Sequence, residues 1–167
     1  CVFTVRTVRG TSVSTLDRRN SVHWLAFGLG SGLAPKAPGT LGTLVAVPLW
    51  WLLAQAPLWG YLLATIFLAL AGIGICGRTA RDLGVHDHAG IVWDEIAGYL
   101  VTMIAAPVTP LSAVAGFVLF RVFDIAKPWP IGWLDARVGG GTGIMADDLL
   151  AGVYAALVLQ LLVLWSA

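Results

Sequence analysis

The sequence predicts an all-α protein: a compact helical bundle that associates with a membrane, contains helical hairpins, and gathers its charged motifs on one face. Three observations carry this reading. Of 167 residues, 58% are hydrophobic and only 11% charged, where a soluble domain carries about 25% charged residues. The charges are also unevenly placed, with none in 37–77, 96–120 or 149–167. No stretch alternates apolar and polar residues as a half-buried strand does. Apolar surface on this scale belongs in a bilayer or in a homo-oligomer. The net charge of +1, with no basic stripe interleaved with aromatics, argues against nucleic acid as a partner.

Residues 1–20 hold Arg6, Arg9, Arg18 and Arg19 against Asp17. They read as a flexible tail before a single domain, 21–167. No signal-peptide core follows the first arginines, and basic residues ahead of an apolar domain point to the cytoplasmic side. The run 37–77 is 41 residues long, enough for two crossings of about 20 residues each. Its tip is "QAPLWG", where Pro57 and Gly60 break the pattern. Trp50, Trp51 and Trp59 suit an interface, and Lys36, Arg78 and Arg81 put both ends of the hairpin on the positive side.

The run 96–120 is broken by "APVTP" into arms of about 10 to 12 residues, too short to span. It reads as a re-entrant or buried helical hairpin. The run after Asp148 reads as one marginal span, with Gly152 and Ala156 spaced for close helix approach. If both hairpins return to their starting side, Lys36 and the islands 78–95 and 121–148 share one face. Eight of the nine acids lie in those islands. Cys1 and Cys76 form neither a CxxC nor a zinc spacing, and Cys76 reads as an inert buried thiol.

Four stretches carry candidate chemistry. In "GVHDHAGIVWDEIAGYL", a continuous helix would set Asp87 and Asp94 on one face, beside Glu95. Such carboxylates suit a hard cation, or merely an acidic helix start. In "FRVFDIAKPWPIGWLDARVGGG", Arg121, Asp124 and Lys127 recur every three residues, fitting a salt-bridge ladder or a phosphate clamp. In "GIMADDLLAGV", a helix cap explains one of Asp147 and Asp148. Two adjacent like charges invite a cation. In "GSGLAPKAPGTLGTL", Lys36, Thr40 and Thr43 stand where a helix start attracts anions, or form an ordinary turn.

Six acids and three bases converging on an apolar bundle supply the parts of metal-assisted phosphoryl chemistry. The matching substrate joins a phosphate to a greasy body, as a phospholipid does. No Ser-His-Asp set or nucleophilic cysteine is evident.

These four stretches, in this order from about Val22 to about Ala156, resemble the bacterial phosphatidylglycerophosphatase A family. The combination of IVWDE, FDxxKPxPI and GIMxDDxxAG is specific to it. The resemblance implies a compact all-α fold and a Mg2+-dependent phosphatase of the inner membrane, its active face cytoplasmic. The enzyme would convert phosphatidylglycerophosphate to phosphatidylglycerol and phosphate in phospholipid biosynthesis. Carried onto this chain, it assigns metal binding to Asp87, Asp94, Glu95, Asp124, Asp147 and Asp148. Catalytic roles fall to Asp94, Glu95, Asp124 and Asp148, and phosphate binding to Arg121, Lys127, Gly39 and Thr40. Lys36 ranks lower, and His86 and His88 line the motif.

Water attack and an aspartyl-phosphate route both stay open. A CDP-alcohol phosphotransferase would need a DGxxAR-type run, which is absent. An ion carrier would place acids in mid-span. A structural membrane protein would need only rim salt bridges.

Overall fold

The computed structural model describes residues 20–85 and 88–166, and every regular element among them is helical. The expected tail, 1–20, lies almost wholly outside the described residues. Helix α1, Ser21–Ala26, is capped by the Asn20 side chain, which accepts from the Val22 N–H at 3.0 Å. A 3-10 segment, Gly28–Leu33, leads to α2, Pro38–Leu53, and then α3, Leu58–Leu83. The break between α2 and α3 falls at the expected tip, where Pro57 precedes the first turn of α3. Gly84 ends α3 in the left-handed conformation (φ 68) that favours glycine.

Helices α4, Trp93–Thr102, and α5, Pro110–Ala126, form the second hairpin. Thr109 caps α5, its hydroxyl oxygen accepting from the Ser112 N–H at 3.1 Å. Helix α4 is the short buried arm expected. Helix α5 is longer than its charge-free arm, with 17 residues. It continues because Arg121 and Asp124 pair along it at i,i+3. Helices α6, Ile131–Arg137, and α7, Gly140–Ser166, complete the chain. Helix α7 starts nine residues before the charge-free run, so Asp147 and Asp148 lie inside it and cap nothing.

Helix α7 packs against α4, α3 and α5. At its contact with α4 a Cβ on Gly152 would strike the Gly98 carbonyl oxygen, and one on Gly98 would come 2.7 Å from the Asp148 carbonyl oxygen. Small residues there let the two backbones touch. Trp50, Tyr99, Met103, Phe120 and Leu159 fill the core below. Each such side chain contributes roughly 1.5–3 kcal/mol by leaving water.

Helix α4 ends inside this apolar bundle, where its last carbonyls lack intrahelical partners. One side chain answers that need, and a second serves the turn just beyond the helix. The Tyr61 hydroxyl donates to the Leu100 carbonyl at 2.6 Å, and Gln160 Nε2 donates to the Ile104 carbonyl at 2.8 Å. Where water is scarce, such backbone groups must be satisfied by protein.

The outer surface is apolar. On α5, Leu111, Val114, Val118, Val122 and Ile125 form one exposed stripe, stepping three and four residues as a single helix face does. Helices α3 and α7 are each long and apolar enough to cross a bilayer. Only 17% and 28% of those stretches is buried within the protein, so most of their apolar surface faces outward. This is the surface of a membrane-associated protein.

Candidate active site

Four helices bring their functional side chains to one end of the bundle. Helix α4 is pinned at its start by the Val92 N–H, which donates to the Ala26 carbonyl of α1 at 2.9 Å. Asp94 and Glu95 occupy its first turn, where free N–H groups and the helix dipole favour carboxylates. Helix α5 contributes Arg121 and Asp124 from its last turns. Helix α7 contributes Asp147 and Asp148 from its third turn. Helix α2 contributes Pro38 and Gly39 from a start that no side chain caps. These residues, with Lys127 and His88, line a single cleft of about 240 Å³.

The bases are bound to acids. Arg121 Nη1 lies 2.5 Å from Asp124 Oδ2 and 3.5 Å from Glu95 Oε1. Lys127 caps α5 in a left-handed conformation (φ 41). The turn carries its ammonium off the i,i+3 ladder, to Asp147 at 2.7 Å and Asp135 at 3.0 Å. Burial works against the Lys127 charge. The hydrogen bonds and charges of Asp147 and Asp135 outweigh burial and hold the ammonium above the usual lysine range. Gly39 has no room for a side chain. A Cβ there would collide with Glu95 Oε1 and lie 3.1 Å from Arg121 Nη1.

The acids are more crowded than the bases can answer. Asp148 is 4% exposed, stands in the field of Asp94, Asp124, Glu95 and Asp147, and meets no cation at ion-pair distance among the described residues. Asp147 Oδ1 is buried with no hydrogen-bond partner.

The expected residues Asp94, Glu95, Asp124, Asp147, Asp148, Arg121, Lys127 and Gly39 therefore meet in one cleft. Thr40 shares the first turn of α2 but does not line it. Lys36 is exposed outside it, and the Thr43 hydroxyl donates back to the Gly39 carbonyl at 2.9 Å. Asp87 and His86 lie outside the described residues. Residues 88–92 are not helical and α4 begins at Trp93, so the helical spacing of Asp87 to Asp94 does not apply.

Sequence reasoning missed Asp135, whose only signal was its place in the short helix that opens at the end of "KPWPI". Among the described residues, no three His, Cys, Asp or Glu side chains form a ready-made metal cage. The donor set still suits a hard divalent cation: oxygen ligands alone, one buried carboxylate oxygen without a partner, and a second carboxylate among like charges.

An acid-rich cleft with two basic side chains, set at the polar end of an apolar helical bundle, is the equipment of a membrane-associated phosphoryl-transfer protein. The family model described as Phosphatidylglycerophosphatase A matches residues 24–163, and the chain belongs to that family. A phosphatidylglycerophosphatase A of Escherichia coli (strain K12) is 49% identical over 144 residues, covering 86% of this chain and 84% of the relative. A phosphatidylglycerophosphatase A of Haemophilus influenzae is 43% identical over 150 residues, covering 87% and 91%. No solved structure matches the chain.

Proposed function

We propose that the protein hydrolyses the terminal phosphate of phosphatidylglycerophosphate, giving phosphatidylglycerol and inorganic phosphate for phospholipid biosynthesis. It would do so with Mg2+, at the cytoplasmic face of a bacterial inner membrane. The observation that carries the reading is the Asp148 cluster. Five carboxylates and two bases share one cleft at the end of a lipid-compatible bundle, in a chain of the named family.

Asp94, Glu95, Asp124, Asp147 and Asp148 are the residues that would hold Mg2+. When bound, the ion supplies Lewis acidity and lowers the pKa of a coordinated water. Arg121 offers the phosphoryl oxygens the donors that Asp124 and Glu95 leave unused, out of five on the guanidinium. Lys127, at the C-terminal cap of the same helix, adds a point charge. The bare Gly39 lets the uncapped start of α2, with its free N–H groups, approach the same anion. A carboxylate of the α4 pair, Asp94 or Glu95, orients the attacking water. The bond from phosphorus to the glycerol oxygen breaks, the water oxygen takes its place, and the leaving alkoxide takes up a proton.

The test is phosphate release from phosphatidylglycerophosphate in detergent micelles, with Mg2+ or with EDTA, for wild type and Asp148→Asn. Release should stop with EDTA and fall on the order of 10²–10³-fold in the variant. Full activity of a folded Asp148→Asn protein would remove that residue from the mechanism, and EDTA-insensitive turnover would remove the metal.

A further inference from the structure

We infer that His88 is a phosphate contact: its imidazole accepts from the backbone through Nδ1 and donates from Nε2 to an oxygen of the bound phosphomonoester. The assignment rests on the phosphatase reading above and adds a residue to it. His88 lines the cleft. The Gly90 backbone N–H donates to His88 Nδ1 at 3.0 Å. A backbone N–H can only donate, so Nδ1 presents its lone pair and Nε2 is the ring's donor.

The ring is held in place as well. Phe27 packs against it with centroids 5.6 Å apart. Gly90 leaves no slack: a Cβ there would strike the Phe27 ring, and would come 2.9 Å from the Gly32 carbonyl oxygen and 3.0 Å from Nδ1. Nε2 has no protein partner among the described residues, yet it is not among the sealed, unsatisfied atoms. Nε2 is therefore the donor that a half-buried ring on the cleft wall has to offer. Arg121 and Lys127 must share any incoming anion with the carboxylates they already hold. Among the described residues, His88 has no such competitor.

The test follows the full chain in detergent micelles with Mg2+, titrated with inorganic phosphate. Nitrogen-15 spectra of the histidines read the tautomer, and phosphate binding is measured for wild type, His88→Asn and His88→Gln. The Asn oxygen can still accept from Gly90, so the loop is kept, but no donor reaches the Nε2 position. The Gln amide restores one.

The expected result is an Nε2-protonated ring whose Nε2 resonance moves on phosphate addition. His88→Asn should bind phosphate about tenfold or more weakly with unchanged melting, the loss expected for one hydrogen bond to a charged group. His88→Gln should recover most of that loss. A tautomer with its proton on Nδ1, an unmoved Nε2 resonance, or wild-type phosphate affinity in His88→Asn would overturn the assignment. Phosphate binding is read without turnover. Failure to hydrolyse the lipid would therefore sink the substrate reading and leave the His88 contact standing.

Discussion

At the scale of the residue, Lys127 adopts a left-handed backbone (φ 41) that few non-glycine residues take. That turn directs its ammonium to Asp147 and Asp135. Replacing it removes the one cation that, among the described residues, lies at ion-pair distance from buried Asp147. Lys127→Met should lower stability by about 1–3 kcal/mol and reduce phosphate release together. Asp135 is exposed, so Asp135→Asn should stay within about 1 kcal/mol of wild type. Thermal melting in detergent, run beside the phosphate assay, separates the two variants. Equal melting of all three proteins would show that the Lys127–Asp147 pair contributes nothing. The i,i+3 recurrence of Arg121, Asp124 and Lys127 was legible in the sequence. The partner of Lys127 was not, because Pro128 announces that the helix ends and says nothing of where the cap sends the side chain.

At the scale of the element, two glycines make opposite forecasts. Gly152 faces the Gly98 carbonyl, while a Cβ on Gly74 of α3 meets nothing within 4 Å. Gly152→Ala should therefore destabilise the α4–α7 contact by about 1–3 kcal/mol through overpacking. Gly74→Ala should stabilise α3 by about 0.5–1 kcal/mol through helix propensity. Chemical denaturation in mixed micelles reads both, and a neutral Gly152→Ala would mean that the helices can part without cost. The hairpin tip at Pro57 was plain in the sequence, as was the close approach at Gly152. The start of α7 was hidden, since "GGGTG" resembles a flexible loop. Its glycines serve contact instead: a Cβ on Gly141 would strike the Ile73 carbonyl oxygen, and one on Gly143 the Val138 carbonyl oxygen. Glycine reads the same in sequence whether it loosens a chain or admits a neighbour.

At the scale of the molecule, the cleft and the α2–α3 tip lie at opposite ends of a bundle with an apolar girdle. Helix α2 has 16 residues and is about 24 Å long, close to the roughly 30 Å apolar thickness of a bilayer. Lys36 and Gln55, both exposed, mark its two ends. In a chain with Cys1 and Cys76 replaced by serine, a membrane-impermeant maleimide outside intact cells should label Gln55→Cys and spare Lys36→Cys. Inverted vesicles should reverse the pattern. Labelling of both from one side would lay the bundle on the membrane surface. The gathering of charge at one end was legible from three blank runs separated by two islands. Which apolar residues face lipid and which face the core was not, because both surfaces use the same side chains.

The Gly98–Gly152 contact fastens α4 to α7, and with them Asp94, Glu95, Asp147 and Asp148 become one solid piece. The remaining walls come from α2 and α5, which touch each other only slightly but pack on α4 and α7 respectively. The α4–α7 pair is thus the post on which both other walls lean. Four of the five acids ride on that post, and Asp124 is tied to it through Arg121 and Glu95, so the spacing of the carboxylates traces back to one contact between two glycines.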